Sequence, residues 1–254
     1  MVDWPVASVS NPLGSSSILL VCEHASHFIP PEYSGLSMAE QDLVSPAAWD
    51  PGALMVARRL SFKLDAVLIE ATVSRLIYDC NRPPESSDAI RAQSELYEIP
   101  GNANISAEEH LSRVRTVHDP FHAAVDDALT KHIKNNGESS ILISIHSFMP
   151  VYFGKHREAE LGFLHGEGST LAKAACDIAT DEGRYRCRMN EPYSSADGVL
   201  YLIDRHGSTR GVPSLMLEIS NALIASPVQA AQMGDYLASL LSRVPNDAEY
   251  VSAQ

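Results

Sequence analysis

Ser17-Ile18-Leu19-Leu20-Val21-Cys22-Glu23-His24-Ala25-Ser26-His27-Phe28-Ile29-Pro30 is an apolar run that breaks abruptly into polar, metal-capable side chains. Residues 17–22 follow a Gly/Ser-rich opening and have the length and aliphatic content of a central strand. In open α/β sheets, ligands bind outside the carboxyl ends of the strands, which is where Glu23, His24 and His27 emerge. His24 therefore reads either as a ligand at the sheet edge or as a turn histidine that caps a nearby backbone group.

The same pattern recurs. Residues 139–148, Ser-Ser-Ile-Leu-Ile-Ser-Ile-His-Ser-Phe, form a second apolar run that ends on a histidine, His146, whose other reading is a core histidine donating to a carbonyl. Residues 213–221, Pro-Ser-Leu-Met-Leu-Glu-Ile-Ser-Asn, carry Glu218 between Leu217 and Ile219. A carboxylate inside a strand is costly unless it has a partner, so a metal, a metal-bound water, an arginine or a structural ion pair is expected beside it. Between the first two runs, Asp50 stands before Pro51, and Leu54, Ala57 and Leu60 then share a helical face. That arrangement fits a helix N-cap and equally a carboxylate ligand at the start of a helix.

Strand candidates at 17–22, 66–71, 140–146, 161–165 and 213–219 alternate with helix candidates at 51–64, 106–134, 169–182 and 226–242. This order predicts an α/β fold: one domain over residues 1–254, with a mixed, mainly parallel sheet between two helical layers. Loose ends are expected at about 1–15 and 246–254, and an ordered insertion or lid at 88–104. His118 and His122 are four apart and share a helical face across Pro120, a spacing that suits a metal or a polar, substrate-facing role.

Taken together, Cys-Glu-His-Ala-Ser at 22–26 with Ile29-Pro30, Trp49-Asp50 with Gly52-Ala53, Ser74-Arg75-Leu76 with Asp79-Cys80-Asn81-Arg82-Pro83, Ile145-His146-Ser147-Phe148, Asn190-Glu191-Pro192-Tyr193-Ser194, Arg205-His206-Gly207 and Leu217-Glu218-Ile219 resemble the N-formylglutamate amidohydrolase family over roughly residues 15 to 230. The resemblance implies a phosphorylase/hydrolase-like fold and a zinc-dependent amidohydrolase, another divalent metal being able to serve the same chemistry. It implies His24, Asp50 and His146 as metal ligands and Glu218 as the catalytic carboxylate, releasing formate and glutamate from N-formyl-L-glutamate, as in histidine degradation. A catalytic zinc takes three protein ligands from His and Asp/Glu and keeps a position open, so the number and type of these residues suit it. Arg75, Arg82, Asn190, Tyr193 and Arg205 are the substrate-binding candidates, since a guanidinium can hold a carboxylate in a bidentate fork. Glu23, Ser26, Ser147, His118 and His122 are candidates for the surrounding shell. The family pattern continues Glu-Ile with an arginine where this chain has Ser220-Asn221-Ala222, a departure that bears on formylglutamate as the substrate.

Other chemistries find less support. The sequence contains no His-Glu-x-x-His, no Gly-x-Ser-x-Gly elbow, no phosphate-binding P-loop and no dinucleotide fingerprint. Cys22, Cys80, Cys176 and Cys187 include no Cys-x-x-Cys pair. Cys22 and Cys80 adjoin motif residues, which leaves a thiolate nucleophile open beside the buried-packing reading. A net charge of −13 disfavours nucleic acid and anionic membranes as partners, so the expected partner is a small acyl amino acid met by a local positive pocket. With no secretory leader pattern and no membrane-length apolar run, the expected location is cytoplasmic. Two further readings stand beside the deformylase: an amidase for a larger amide such as a peptidoglycan fragment, and a non-catalytic sensor of small carboxylates. Glu218 favours catalysis, because a sensor needs no general base.

Overall fold

Every residue of the first two strand runs is buried, which is why they read as continuous apolar segments rather than alternating ones: both faces of the sheet are covered. The computed structural model describes residues 4–166 and 170–244. In chain order the elements are β1 (Ala7–Ser10), β2 (Ile18–Cys22), α1 (Ala53–Leu64), β3 (Val67–Ala71), the hairpin β4 (Gln93–Ser94) and β5 (Tyr97–Glu98), α2 (Ala107–Arg113) and α3 (Asp119–Asn136). They continue with β6 (Ile141–Phe148), the hairpin β7 (Val151–Tyr152) and β8 (Lys155–His156), β9 (Leu161–Leu164), α4 (Thr170–Glu182), β10 (Cys187–Met189), α5 (Tyr201–His206), β11 (Ser214–Ser220) and α6 (Pro227–Leu241).

The main sheet runs β1-β3-β2-β6-β11-β9-β10. Strands β3, β2, β6 and β11 are parallel neighbours, β1 lies antiparallel on β3, and β9 pairs antiparallel with β11 and parallel with β10. The sheet is therefore mixed and mostly parallel, with helices on both sides.

Side-chain period assigns the two faces. Leu20 and Cys22 of β2, Ile143 and Ile145 of β6, and Leu215 and Leu217 of β11 join an apolar cluster with residues of α1, α4 and α6. Leu19 and Val21, Leu142 and Met216 join the opposite cluster, with residues of α3 and α5. By the same alternation Glu23, His146 and Glu218 belong to this second face, at the carboxyl ends of the three central parallel strands. His146 and Glu218 are register partners across β6 and β11.

Several expectations are revised. Residues 7–10, placed within a loose N-terminal segment, form an edge strand on β3; three hydroxyl-bearing or small side chains around one valine carry little strand signal. The expected loose segment at 246–254, residues 1–3 and the expected helix start at 169 lie outside the described residues. The expected helix at 106–134 is two: α2 passes through a π-helical turn at Val114–His118 into α3, with Pro120 in the first turn of α3. Such a turn absorbs the missing amide hydrogen bond of the proline. Ser106 caps α2 by accepting from the Glu109 amide, the first half of a Ser-x-x-Glu capping box.

Gly162 of β9 is the register partner of Glu218, and a Cβ added there would run into the Glu191 carbonyl oxygen. A close backbone approach thus lies beside the catalytic candidate. Gly162→Ala is expected to lower stability by roughly 2 kcal/mol or more through backbone displacement, seen as a lower thermal midpoint; an unchanged midpoint would show that the 190–192 loop yields freely.

Candidate metal centre and active-site cleft

His24 follows directly after β2 and its neighbour Glu23, and its carbonyl accepts from the Asp50 amide at 2.9 Å, tying the loop before α1 to the end of the strand. Asp50 is not a helix cap. Gly52, at φ +85°, occupies the N-cap position of α1 without a side-chain cap bond, and the Asp50 carboxylate turns inward. Its Oδ2 lies 2.9 Å from His146 Nδ1, 3.4 Å from His24 Nδ1 and 3.2 Å from the Ser147 amide, which donates to it.

Both imidazoles are held from behind. His24 Nε2 donates to Asp79 Oδ1 at 2.7 Å, and His146 Nε2 donates to Glu23 Oε1 at 2.8 Å. Ser144 donates to the other Glu23 oxygen at 2.8 Å, while Arg75 donates to the other Asp79 oxygen at 2.6 Å. Carboxylates on the far nitrogen hold each ring and aim its Nδ1 at the centre, the arrangement that orients metal-bound histidines. One ligand atom from each of His24, Asp50 and His146 lies within 4.8 Å of the others, and all three residues are buried.

The arrangement fits a cation. His24 Nδ1 is fully buried and has no hydrogen-bond partner, although a carboxylate oxygen is 3.4 Å away; a buried acceptor facing an acceptor is costly unless something positive lies between them. Two imidazole nitrogens and one carboxylate are the ligand set of many catalytic zinc sites.

Glu218 completes the centre. It is buried, its Oε2 has no partner, and it lines the same cleft as the triad. Burial, opposed by His146 and reinforced by Asp50, pushes its carboxyl up to about 7. The other acids behave oppositely. Burial would raise Asp79 and Asp50, but Arg75 and His24 hold the first, and His24 and His146 the second, well below the usual carboxylate range. His146, which burial alone would lower, is raised well above an ordinary histidine by Glu23 and Asp50.

The cleft in front of this centre has a volume of about 770 Å³. The 88–104 segment is one of its walls, through Asp88, Arg91, Gln93, Ser94, Glu95 and Tyr97. The β7–β8 hairpin forms another, and the Phe153 amide donates to Glu95 at 2.9 Å, joining the two walls.

Of the expected substrate-binding residues, Arg75, Arg82 and Tyr193 line the cleft. Arg75 is engaged by Asp79 and, at 3.4 Å, by Asp50. Arg82 is buried and donates to the carbonyls of Asn81 and Gly198, not to Asp79 or Asp88. Asn190 and Arg205 are corrections. Asn190 does not line the cleft; its side chain accepts from the His165 amide and fixes the backbone there. Arg205 is exposed and donates to the Tyr201 hydroxyl. Ser147 lines the cleft and donates to the Pro51 carbonyl, whereas Ser26 only accepts from the Phe28 amide in its own turn.

His118 and His122 are likewise drawn elsewhere. They form a separate buried network in which His118 meets Tyr201 at 3.0 Å and Asp119 at 2.8 Å. His122 contacts His206 at 2.7 Å and donates to the Cys80 carbonyl at 3.0 Å, and His206 continues to Asp126. Burial pushes His122 down to about 2 and His206 to about 4. All four cysteines are free and buried, and burial raises the Cys22 and Cys80 thiols well above their ordinary value, opposite to what a thiolate nucleophile needs.

Two contributors escaped the sequence reading. Asp79 was visible in Asp-Cys-Asn-Arg-Pro, but nothing local distinguishes a histidine-orienting carboxylate from an ion-pair partner. Arg157 lines the cleft from the base of the β7–β8 hairpin, a two-by-two-residue ladder too short to read from sequence. Losing an outer carboxylate of this kind costs about 10–100-fold in metal affinity, so Asp79→Asn is expected to weaken zinc binding by about that factor in a chelator competition. Undiminished affinity would mean that Asp79 serves only Arg75.

Among the described residues, no helix is long and apolar enough to cross a membrane. No curated protein matches the sequence. A crystal structure of a gene product from Agrobacterium tumefaciens is 40% identical, with a TM-score of 0.93 over 97% of each chain. The N-formylglutamate amidohydrolase from Ralstonia eutropha JMP134 shares the fold at 15% identity, with a TM-score of 0.69 over 94% of this chain and 99% of that one. The family model described as N-formylglutamate amidohydrolase matches residues 16–225, and with the triad, the buried glutamate and the mixed sheet already in place, the chain belongs to the N-formylglutamate amidohydrolase family.

Proposed function

We propose that this protein is a zinc-dependent amidohydrolase that cleaves the amide of an N-formyl or other N-acyl amino acid, with N-formyl-L-glutamate as the first substrate to test. The observation that carries the reading is the unpartnered His24 Nδ1 facing Asp50 and His146, with the unpartnered Glu218 Oε2 in the same cleft. His24, Asp50 and His146 would hold the zinc, or another divalent ion of similar preference. When bound, such an ion polarises the amide carbonyl and acidifies a water molecule.

The protein's own residues supply the rest. Glu218 takes a proton from the attacking water and returns it to the departing amine nitrogen, so that water adds to the acyl carbon, the C–N bond breaks, and formate and the free amino acid leave. Asp79 and Glu23 keep the two imidazoles turned, and Arg75 fixes Asp79 and Asp50 in place. Tyr193 closes the cleft near Glu218, where burial pushes its hydroxyl up to about 12, keeping it a neutral hydrogen-bond donor.

Formate and glutamate release from N-formyl-L-glutamate, followed before chelation, after chelation and after zinc is restored, tests the reading. Release that is lost with the metal and regained with zinc is expected. A zinc-loaded sample that cleaves no N-acyl amino acid would overturn it.

A further inference from the structure

Four arginines line the cleft, Arg75, Arg82, Arg91 and Arg157. Two are already neutralised: Arg75 by Asp79 and Asp50, and Arg91 by Asp88 at 3.1 Å. The other two lack a carboxylate partner among the described residues. Arg82 is only 5% exposed, uses one nitrogen on the Asn81 and Gly198 carbonyls, and leaves its buried Nε without a partner. Arg157 is half-buried between aromatic rings, 4.5 Å from the Tyr152 centroid, 4.7 Å from Tyr193 and 5.7 Å from Phe148, and donates to the Tyr193 hydroxyl at 3.2 Å. Asp79 and Asp88 act on Arg82 only through space, so both guanidinia keep donor capacity for an anion, and a guanidinium packed among rings can still pair with a planar carboxylate.

The two come from different segments of the chain. Arg82 lies in the segment after β3, and Arg157 in the segment after β6; these strands flank β2, which ends beside His24. We infer that Arg82 and Arg157 form a two-point clamp for a substrate bearing two carboxylates, with Arg157 as the determinant for the side-chain carboxylate. Arg82 is rigidly placed three residues after Asp79, beside the metal centre, and so meets the carboxylate that every N-acyl amino acid carries next to the scissile nitrogen. Arg157 stands on a hairpin wall and meets the part of the substrate that varies. The assignment deepens the proposed function and rests on it for the identity of the reaction, but its binding test stands alone.

Calorimetric titration of the zinc-loaded protein with glutarate and with butyrate compares two carboxylates with one, and any contact common to both acids cancels in the ratio. A charge-assisted hydrogen bond to a carboxylate corresponds to about 10–100-fold in affinity. The wild type is expected to prefer glutarate by about that factor, and Arg157→Met to reduce the preference to about 3-fold or less. Arg157→Lys is expected to recover only part of it, because an ammonium lacks the planar fork. In kinetics, the ratio of kcat/KM for N-formyl-L-glutamate over N-formyl-L-glutamine should fall in parallel, through KM more than kcat. A preference retained in Arg157→Met, or absent from the wild type, overturns the clamp. Failure to cleave either formyl substrate, with the glutarate preference intact and dependent on Arg157, overturns the proposed reaction alone.

Discussion

Glu218→Gln is expected to lower kcat by about 10³-fold while making the metal-free protein more stable at pH 8. On the proposed mechanism the loss follows from removing the group that accepts the water's proton, a role that contributes about 10²–10⁴-fold. The gain follows from burial. With its carboxyl raised from 4.5 to about 7, Glu218 favours the native state fully below pH 4.5 when protonated. That contribution disappears as pH rises through about 7, leaving an ionised carboxylate buried without a partner. The difference corresponds to about 3 kcal/mol at 1.36 kcal/mol per unit, and a neutral isostere escapes it, so the thermal midpoint at pH 8 should rise by on the order of 5 °C. At pH 4 the two proteins should melt together. Zinc should shrink the stability gain, because a cation beside Glu218 favours its ionised form. The same cation places the acid limb of the wild-type pH–rate profile at or below about 7. Full activity in the variant would remove Glu218 from the mechanism; equal melting at both pH values would mean that its desolvation is relieved in solution.

Asp50→Asn should have the other large effect, abolishing zinc retention as well as turnover. Asp50 is the only carboxylate among the three ligand candidates; it also accepts from the Ser147 amide and faces both His146 and Arg75. An amide of the same shape keeps the packing but removes the charge that balances the ion. The fall in zinc affinity should exceed the roughly 10–100-fold expected of an outer partner such as Asp79. Metal content after gel filtration and chelator competition measure it directly. Wild-type zinc content in Asp50→Asn would refute the triad.

The centre was legible where chemistry interrupts burial. His24 and His146 stand out because each ends an apolar run, and Glu218 because it charges one. Asp50 is ambiguous in sequence, since the same Asp-Pro pair precedes helices with or without a ligand; Gly52 at the cap position and the inward carboxylate exclude the cap reading. Motif proximity misled at Arg205 and Asn190, which support the fold beside the cleft rather than line it. His118 and His122 have ligand spacing, but their ring nitrogens are taken by Asp119, Tyr201, His206 and Cys80. Short elements were hardest to see. The six residues of α5, the β4–β5 and β7–β8 hairpins and the edge strand at 7–10 depend on tertiary contacts more than on their own periodicity. The antiparallel turn of β9 against β11 left no trace in sequence beyond Gly162.

The outward tethers of the three candidate ligands have a consequence for how the protein would meet a metal. His24 is anchored to Asp79, His146 to Glu23, and Asp50 to the Ser147 amide, so no ligand depends on an ion to hold its position, and the apolar clusters on both sheet faces lie outside the triad. Small metal domains whose ligands have no such support unfold when stripped. A zinc ion held there would be a guest of a finished scaffold: on the proposed function, chelation should silence turnover and leave the circular dichroism unchanged, and returning zinc should restore turnover within the time of binding, without a refolding lag.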